Sequence, residues 1–442
     1  MIAREAALKA IGEYRRTNRV PTINLKGASI NNATIKSDIA LANSILNGVI
    51  QNLAYCDYIA SSYSNIALKK LHPKILDILR LSIYQLVFLT RVPSNAIVDE
   101  GVKLAKKYSN PSAASFVNAV LRKISQSIAE NIIPEPANSD EIVNLSIKYS
   151  HPQWLVSRYC ERLGIKDAVS LMEINNSSTT AITAQVNTLL SDLDSVMESL
   201  ENQGIKALKH KWLHNCVELF NPGKINELDV FLNGSIYIQD AASKLAVLAA
   251  APAPGDYIID ACSSPGGKSF AAAISMENTG HILACDLNQK KLIAINEGQN
   301  RLNITIVETS VMDGSTYHSE LMGKADVVLA DVPCSGIGVI RKKPDIRYKD
   351  PITFTALTNL QKSILSNVSK YVKVGGILLY STCTVLEEEN EEIVNAFLDE
   401  HPEFSPVSFE LPEIGNVSSG MITLWPHKHG TDGFFICKMR RN

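Results

Sequence analysis

Two cysteines lie in short polar segments that each follow an apolar run. Cys334 belongs to Asp-Val-Pro-Cys-Ser-Gly (331–336), and Cys383 belongs to Ser-Thr-Cys-Thr (381–384). A thiolate that adds to carbon 6 of a cytosine turns carbon 5 of the ring into a nucleophile able to take a methyl group. A second thiol could assist when the first is expelled. The alternative is that both are small buried core residues, the common state of cysteines in a reducing compartment.

Asp331 stands two residues before Pro333 in the first of these segments. An acid near ring nitrogen 3 would stabilise the charge that develops when the thiolate adds. The residues therefore predict a catalytic set of Cys383, Cys334 and Asp331.

A glycine-containing loop, Cys-Ser-Ser-Pro-Gly-Gly-Lys (262–268), follows another apolar run. Its paired glycines permit a tight turn and a close approach to a ligand, but the third glycine of the dinucleotide fingerprint is missing, so a ligand without phosphates fits better. Twenty residues past Gly266 stands Asp286, where such folds hold ribose hydroxyls. S-adenosylmethionine meets these demands, because its sulfonium cation favours nearby carboxylates such as Asp313 and Asp331. A single aspartate of this kind is as often a helix cap.

These segments must be placed by a sheet. From about residue 241, apolar runs alternate with helical patterns, which predicts a mostly parallel sheet covered by helices, with its ligand site beyond the carboxyl ends of the strands. Each motif follows such an end. The predicted strands are Tyr257–Ala261, His281–Asp286, Ile304–Glu308, Ala325–Asp331 and Gly376–Ser381.

The rest of the chain divides by pattern. Up to about residue 140 apolar residues recur at helical spacing, as in Ile75, Ile78, Leu79 and Ile83, which predicts an all-α bundle. Prolines and small polar residues near 126–145 indicate a linker. Residues 146–240 mix a helix (192–202) with a short strand (182–186), typical of a small α/β region. We therefore predict three domains, at 1–140, 146–240 and 241–442.

Charge and composition narrow the function. Residues 1–130 hold 17 Lys or Arg against 8 Asp or Glu, a net charge near +9, which favours a polyanion such as RNA over a merely solvated basic surface. The eight cysteines form no C-x-x-C pair, so neither a metal site nor a disulfide framework is expected. No run of about eighteen apolar residues occurs, which excludes a membrane span and predicts a cytoplasmic protein. We expect a monomer.

The motifs resemble those of a known family. The loop C-S-S-P-G-G-K, the segment D-V-P-C-S-G-I-G-V-I-R-K-K-P-D-I (331–346), S-T-C-T and the closing D-G-F-F (432–435) are similar to the RNA 5-methylcytosine methyltransferases related to NOL/Sun proteins. The resemblance implies that Cys383 is the nucleophile and that Cys334 helps to release the product. It also implies that the cofactor contacts are Cys262, Ser263, Ser264, Pro265, Gly266, Gly267, Lys268, Asp286, Asp313 and Asp331. Ser263, Ser264 and Ser269 replace residues common in the family, and none of these is a reacting group.

The first 140 residues resemble the NusB-like RNA-binding domain, notably in R-V-P-S-N-A-I-V-D-E (91–100) and S-F-V-N-A-V-L-R-K (115–123). This pairing is similar to the bacterial RsmB/Sun family. The implied fold is multidomain: an all-α NusB-like bundle, a small α/β middle region and a C-terminal α/β class I methyltransferase (Rossmann-like) domain. The implied substrate is one cytosine of 16S (small-subunit) ribosomal RNA.

Other functions remain open from the sequence. The same chemistry could act on transfer RNA or another ribosomal cytosine, because the motifs indicate the reaction and not which RNA is the substrate. A methyltransferase for an amine or oxygen, and an RNA-binding assembly factor without activity, are further rivals. Arg341, Lys342 and Lys343 beside the thiol segment are predicted to meet the RNA backbone, with a solvated charge run as the alternative.

Overall fold

The computed structural model describes residues 2–23, 32–89, 92–177 and 181–442. Two compact units emerge: unit 1 contains Met1–Asn176 and Lys343–Tyr348, and unit 2 contains Ser177–Lys342 and Lys349–Asn442. Unit 1 therefore includes a six-residue segment that is far away in the sequence.

The described residues of unit 1 form helices joined by turns and loops and no strand, as the apolar spacing predicted. Prolines at the first positions of α4 and α6 suit these helix starts because a helix leaves its first amide groups without partners. Asn110 caps α6 by accepting a hydrogen bond from the amide of Ala113 at 2.9 Å. The helices are α1 (Ile2–Thr17), α2 (Asn32–Gln51), α3 (Leu53–Tyr63), α4 (Pro73–Phe88), α5 (Ser94–Tyr108), α6 (Pro111–Ala129), α7 (Glu141–Tyr149) and α8 (Gln153–Asn175).

Unit 2 begins with a small antiparallel sheet. Its strands are β1 (Ile182–Val186), β2 (Lys206–Lys209), β3 (Cys216–Phe220) and β4 (Ile236–Ile238), in the order β2-β3-β1-β4. Helix α9 (Leu193–Asn202) is capped by Asp192, and α10 is Asp229–Leu232. The predicted strand and helix of this region are confirmed.

A larger sheet follows in unit 2, in the order β10-β14-β9-β8-β5-β6-β7, with β13 added beside β14. Strands β5 to β9 run parallel, and β14 runs antiparallel to β9. The order reverses at β5, whose neighbours are β6 and β8, and a ligand crevice forms at such a point. The strands are β5 (Tyr257–Asp260), β6 (His281–Asp286), β7 (Val307–Val311), β8 (Ala325–Asp331), β9 (Val372–Thr382), β10 (Phe404–Pro406), β11 (Phe409–Leu411), β12 (Gly415–Val417), β13 (Met421–Leu424) and β14 (Phe434–Arg441).

Helices accompany this sheet, and with it they form the class I methyltransferase architecture that the sequence predicted. They are α11 (Ala241–Ala250), α12 (Gly267–Ser275), α13 (Gln289–Arg301), α14 (Phe354–Val368), α15 (Glu391–Glu400) and α16 (Pro426–His429).

The predicted strand at Ile304–Glu308 is wrong in its start. The observed β7 begins at Val307. Asn303 has a left-handed φ of 55°, and the amide of Thr305 donates to Asn278 Oδ1 at 3.0 Å. The turn that leaves α13 thus occupies the residues assigned to the start of the strand.

The division into three domains remains a prediction. Residues 133–138, between α6 and α7, form neither helix nor strand, in the place where a linker was expected. The two compact units instead separate after Asn176, so the middle region predicted at 146–240 begins in unit 1 and ends in unit 2.

Candidate active site

The glycine-containing loop lies between β5 and α12. Ser263 ties it to the end of β6, because its amide and its hydroxyl both donate to the carbonyl of Cys285, at 2.8 and 2.9 Å. Gly266 has a φ of 102°, and a Cβ there would lie 2.6 Å from the ring of Phe270. Only glycine fits this position without a shift, and α12 can therefore start at Gly267.

Lys268 turns from α12 towards the ends of the neighbouring strands. Its Nζ donates to Asp331 Oδ2 at 2.6 Å and to Ser243 Oγ at 2.8 Å. The other oxygen of Asp331 accepts a hydrogen bond from Ser381 Oγ at 2.8 Å. Lys268 is buried, and a buried ammonium needs partners of this kind. The structure thus brings together Lys268 and Asp331, both predicted from the sequence.

The two predicted reactive cysteines are in direct contact. Cys334 Sγ lies 3.1 Å from Cys383 Sγ. Cys334 follows β8, Cys383 follows β9, and these strands are parallel neighbours, so both thiols stand at one edge of the sheet. The hydrogen bond from Cys334 lowers the pKa of Cys383, and the same bond raises the pKa of Cys334. Cys383 is therefore the member of the pair suited to be a thiolate, because the thiolate is the nucleophile.

Three carboxylates surround the cofactor loop. Burial raises the pKa of Cys262, and the carboxylates of Asp260, Asp331 and Asp286 raise it further. Asp260 is fully buried at the end of β5, and its Oδ1 has no hydrogen-bond partner among the described residues. Burial raises the pKa of Asp260 to about 6. Such a site suits a cation, so the set fits S-adenosylmethionine.

The remaining predicted cofactor residues have local contacts. Asp286 accepts from the amide of Asn288 at 2.8 Å and lies 3.4 Å from Lys291 Nζ. Asp313 lies two residues beyond Val311, the last residue of β7. Asp313 Oδ1 accepts from the amide and hydroxyl of Ser315, which lowers the pKa of Asp313. Contacts with a cofactor remain a prediction for both aspartates.

The three basic residues after the thiol segment have different surroundings. Lys342 Nζ lies between two carboxylates, 2.6 Å from Asp240 Oδ2 and 2.7 Å from Asp432 Oδ2. Arg341 is half-buried, whereas Lys343 is exposed and belongs to unit 1. An RNA contact by Lys342 would have to compete with this double ion pair.

Several site residues were not singled out from the sequence. Ser243 supports Lys268, while Asp240 and Asp432 hold Lys342. Asp432 belongs to the D-G-F-F motif, which contributed to the family resemblance but did not indicate a role for this residue. Ser243 and Asp240 lie in or beside α11, where no spacing pattern distinguishes them from ordinary helix residues.

The described residues lack two kinds of feature. They hold no helix long and apolar enough to cross a membrane. They also hold no group of three or more His, Cys, Asp or Glu side chains that could bind a metal ion.

Three family models match successive parts of the chain. The NusB family covers residues 1–126, the ferredoxin-like domain of RsmF/B-like methyltransferases covers 151–226, and the model described as 16S rRNA methyltransferase RsmB/F covers 247–440. The sheet order and the glycine loop agree with the last match. Together they define the chain as an RNA methyltransferase.

Individual relatives extend over nearly the whole length. The probable ribosomal RNA small subunit methyltransferase B of Bacillus subtilis is 36% identical, covering 99% of this chain and 98% of the relative. The enzyme of that name from Yersinia enterocolitica is 31% identical over 82% of this chain and 81% of its own. A solved methyltransferase homologue from Pyrococcus horikoshii is 27% identical with a TM-score of 0.59, covering 69% of this chain and all of that one.

The chain belongs to the family of ribosomal RNA small subunit methyltransferase B. The predicted resemblance to the RsmB/Sun family, with a NusB-like first domain, is thereby confirmed.

Proposed function

We propose that the protein transfers a methyl group from S-adenosylmethionine to carbon 5 of a cytosine in 16S ribosomal RNA, through a covalent bond between Cys383 and that cytosine. The observation that carries the proposal is the pair of thiols 3.1 Å apart at the strand ends. Methylation of an amine or an oxygen needs no thiol, whereas an unactivated carbon 5 does. The names of the relatives support the ribosomal address.

The first step is attack by Cys383. Its thiolate forms a bond to ring carbon 6, and the electrons of the 5,6 double bond move onto carbon 5 and the ring. Asp331 acts as an acid near ring nitrogen 3: its carboxyl group donates a hydrogen bond to that nitrogen, and with the Lys268 ammonium beside it stabilises the negative charge that develops on the ring. S-adenosylmethionine, when bound, supplies the methyl group, whose bond to sulfur breaks as the bond to carbon 5 forms.

The second step is release. Carbon 5 loses its proton to a solvent base, the electron pair restores the 5,6 double bond, and Cys383 departs as a thiolate. The Cys334 thiol, whose sulfur lies 3.1 Å from that of Cys383, donates a hydrogen bond to the departing sulfur. Loss of this donor should slow release more than attack, because the covalent intermediate then has a poorer leaving group.

Binding of the RNA is assigned to the basic part of the chain. Residues 1–130 carry a net charge near +9, and phosphate neutralisation by such regions supplies most non-specific affinity. Arg341 and Lys343 are proposed to add backbone contacts, while Lys342 stays with its two carboxylates. The target base must leave its stack for its ring to meet both thiol and methyl group. This substrate would be found in the cytoplasm.

The test is transfer from labelled S-adenosylmethionine to unmodified 16S ribosomal RNA and to transfer RNA, followed by mass spectrometry of the labelled nucleoside. We expect 5-methylcytidine in the ribosomal RNA, lost in Cys383→Ala and kept in Cys160→Ala, a half-buried cysteine of unit 1. Label only in transfer RNA would reject the ribosomal address. Full activity of Cys383→Ala would reject the chemistry.

A further inference from the structure

Cys334 is held through the residues on either side of it. Glu389 Oε2 accepts hydrogen bonds from the amide of Ser335 at 2.8 Å and from Gln361 Nε2 at 2.9 Å. The same Gln361 Nε2 donates to the carbonyl of Pro333 at 2.9 Å. One carboxylate and one amide therefore hold the backbone just before and just after the cysteine.

Cys383 is held in a similar manner by Asn390, the residue that follows Glu389 in the sequence. Asn390 Oδ1 accepts from Thr382 Oγ1 at 2.6 Å, and Asn390 Nδ2 donates to the carbonyl of Thr384 at 3.1 Å. Asn390 thus holds both chain neighbours of Cys383 directly, whereas Glu389 holds Ser335 directly and Pro333 through Gln361.

The two arrangements are also joined to each other. Ser335 Oγ donates to Thr384 Oγ1 at 2.9 Å, so the residues that follow the two cysteines are in contact. Tyr380, on β9, donates its hydroxyl to the carbonyl of Glu389 at 2.7 Å. The six side chains of this network are fully buried: Ser335, Gln361, Thr382, Thr384, Glu389 and Asn390. The hydrogen bonds of such a buried network hold its side chains in place, because each broken bond leaves a desolvated polar atom.

Burial of the Glu389 carboxylate is energetically unfavourable if the side chain serves only to fill space. Its Oε1 is buried and makes no hydrogen bond within the described part of the chain, so half of the carboxylate has lost water without compensation. An apolar side chain would fill the same space at lower cost. This unfavourable burial is explained if the carboxylate serves to hold the Cys334 segment in a defined geometry.

We propose that Glu389 and Asn390 are positioning residues, which together form a bracket that sets the distance between the Cys334 and Cys383 thiols. The bracket consists of these two side chains, of Gln361, which connects Glu389 to Pro333, and of their hydrogen bonds to residues 333–335 and 382–384. Glu389 acts on release through Cys334, and Asn390 acts on attack through Cys383. The proposal rests on the proposed function for the roles of the two thiols, but not for the geometry.

The geometry can be tested without RNA. Diamide takes two hydrogens from a pair of adjacent thiols and leaves a disulfide, while it is itself reduced to a hydrazine. The rate of Cys334–Cys383 crosslinking, followed by mass spectrometry, therefore reports how often the two sulfurs meet. We expect a fall of about tenfold or more in Glu389→Ala and Asn390→Ala, since loss of a hydrogen bond of this class has an effect of roughly that size. Glu387→Ala, an exposed glutamate of the same turn, should keep the wild-type rate.

The conservative variant separates hydrogen bonding from charge. In Glu389→Gln the amide oxygen can still accept from both Ser335 and Gln361, so crosslinking and turnover should stay within about threefold of wild type. If Glu389→Gln is as slow as Glu389→Ala, the carboxylate acts through its charge and the bracket is rejected. Should Glu389→Ala fail to fold, Gln361→Ala removes the donor to Pro333, and Thr382→Val removes a single hydroxyl at nearly constant volume.

Turnover on 16S ribosomal RNA then distinguishes the two sides. Glu389→Ala should lower kcat about tenfold or more and accumulate a covalent protein–RNA species, whereas Asn390→Ala should lower kcat without accumulating it. Equal behaviour of the two variants would overturn the division of roles. Slowed crosslinking in variants of a protein that forms no 5-methylcytidine would keep the bracket and reject the proposed function. Unchanged crosslinking in both alanine variants would reject the bracket itself.

Discussion

Arg347→Ala should destabilise unit 1 strongly. The side chain is fully buried. Its Nη1 lies 2.9 Å from Asn176 Oδ1 and 3.0, 3.2 and 3.3 Å from the carbonyls of Gln51, Ser150 and Tyr149. All of these residues belong to unit 1, and Arg347 lies in the segment contributed from residues 343–348.

The expected loss of stability depends on how many hydrogens Arg347 Nη1 can donate. Nη1 carries two, so at most two of the four contacts are full hydrogen bonds at once, and bonds to a charged donor contribute about 1.5–3 kcal/mol each. Against this, Nε and Nη2 are buried without hydrogen-bond partners among the described residues, so the guanidinium has lost water that alanine would not need. Burial lowers the pKa of Arg347, in keeping with that cost. The net loss should be about 3 kcal/mol, or roughly a hundredfold in the local opening equilibrium.

Amide hydrogen exchange followed by mass spectrometry measures this opening directly, since unfolding of a protein with two units is not a two-state process. Peptides containing residues 51–53 and 149–153 should exchange about a hundredfold faster in Arg347→Ala. Lys343→Ala, at the exposed start of the same segment, is the matched control and should leave exchange unchanged. An effect below about threefold would show that the four contacts of Arg347 do not stabilise unit 1.

Two further predictions concern titrating groups. In Cys334→Ala the hydrogen bond that lowers the pKa of Cys383 is lost, so the pH profile of Cys383 alkylation by iodoacetamide should move to higher pH, and an unmoved profile would contradict the assignment of that bond. In Lys342→Met, Asp240 and Asp432 lose their shared cation; burial and Asp240 already raise the pKa of Asp432 to about 7. A carboxyl with a raised folded pKa makes a protein lose stability as pH rises from its unfolded pKa to its folded pKa. In the wild-type protein this loss ends near pH 7, whereas in Lys342→Met the missing cation raises the pKa of Asp432 further and the loss continues. The difference in denaturation midpoint between the two proteins should therefore grow above about pH 7, and a constant difference would contradict this expectation.

The strand ends and their motifs were predictable because they depend on local patterns. An apolar run followed by glycine or a polar motif identifies the end of a buried strand, and parallel neighbours place such ends together. At these strand ends, Asp331 contacts Lys268 and the two thiols contact each other. The start of β7 was missed because a turn at Asn303, closed by a side chain from another loop, carries no periodic signal.

Long-range side-chain partners could not be predicted. Lys342 was predicted to contact RNA as part of a run of three basic residues, and that contact stays a prediction. Its two ion-pair partners lie 102 and 90 positions away in the sequence, so the run of charges gave no sign of them. The burial of Arg347 among carbonyls of unit 1 depends on contacts across almost 200 residues or more. Glu389 and Asn390 follow the thiol segment within a few positions, but their hydrogen bonds depend on how the loops fold back, which spacing does not encode.

The central claim is the bond between Cys383 and the target cytosine. It can be tested with 16S ribosomal RNA containing 5-fluorocytidine, whose carbon 5 cannot lose fluorine as it would lose a proton, so the covalent intermediate persists. After digestion, mass spectrometry should find the nucleotide on the peptide that contains Cys383 in the wild-type protein, and on no peptide in Cys383→Ala. A nucleotide attached to Cys334, or methyl transfer to normal RNA without any trapped adduct, would contradict the account.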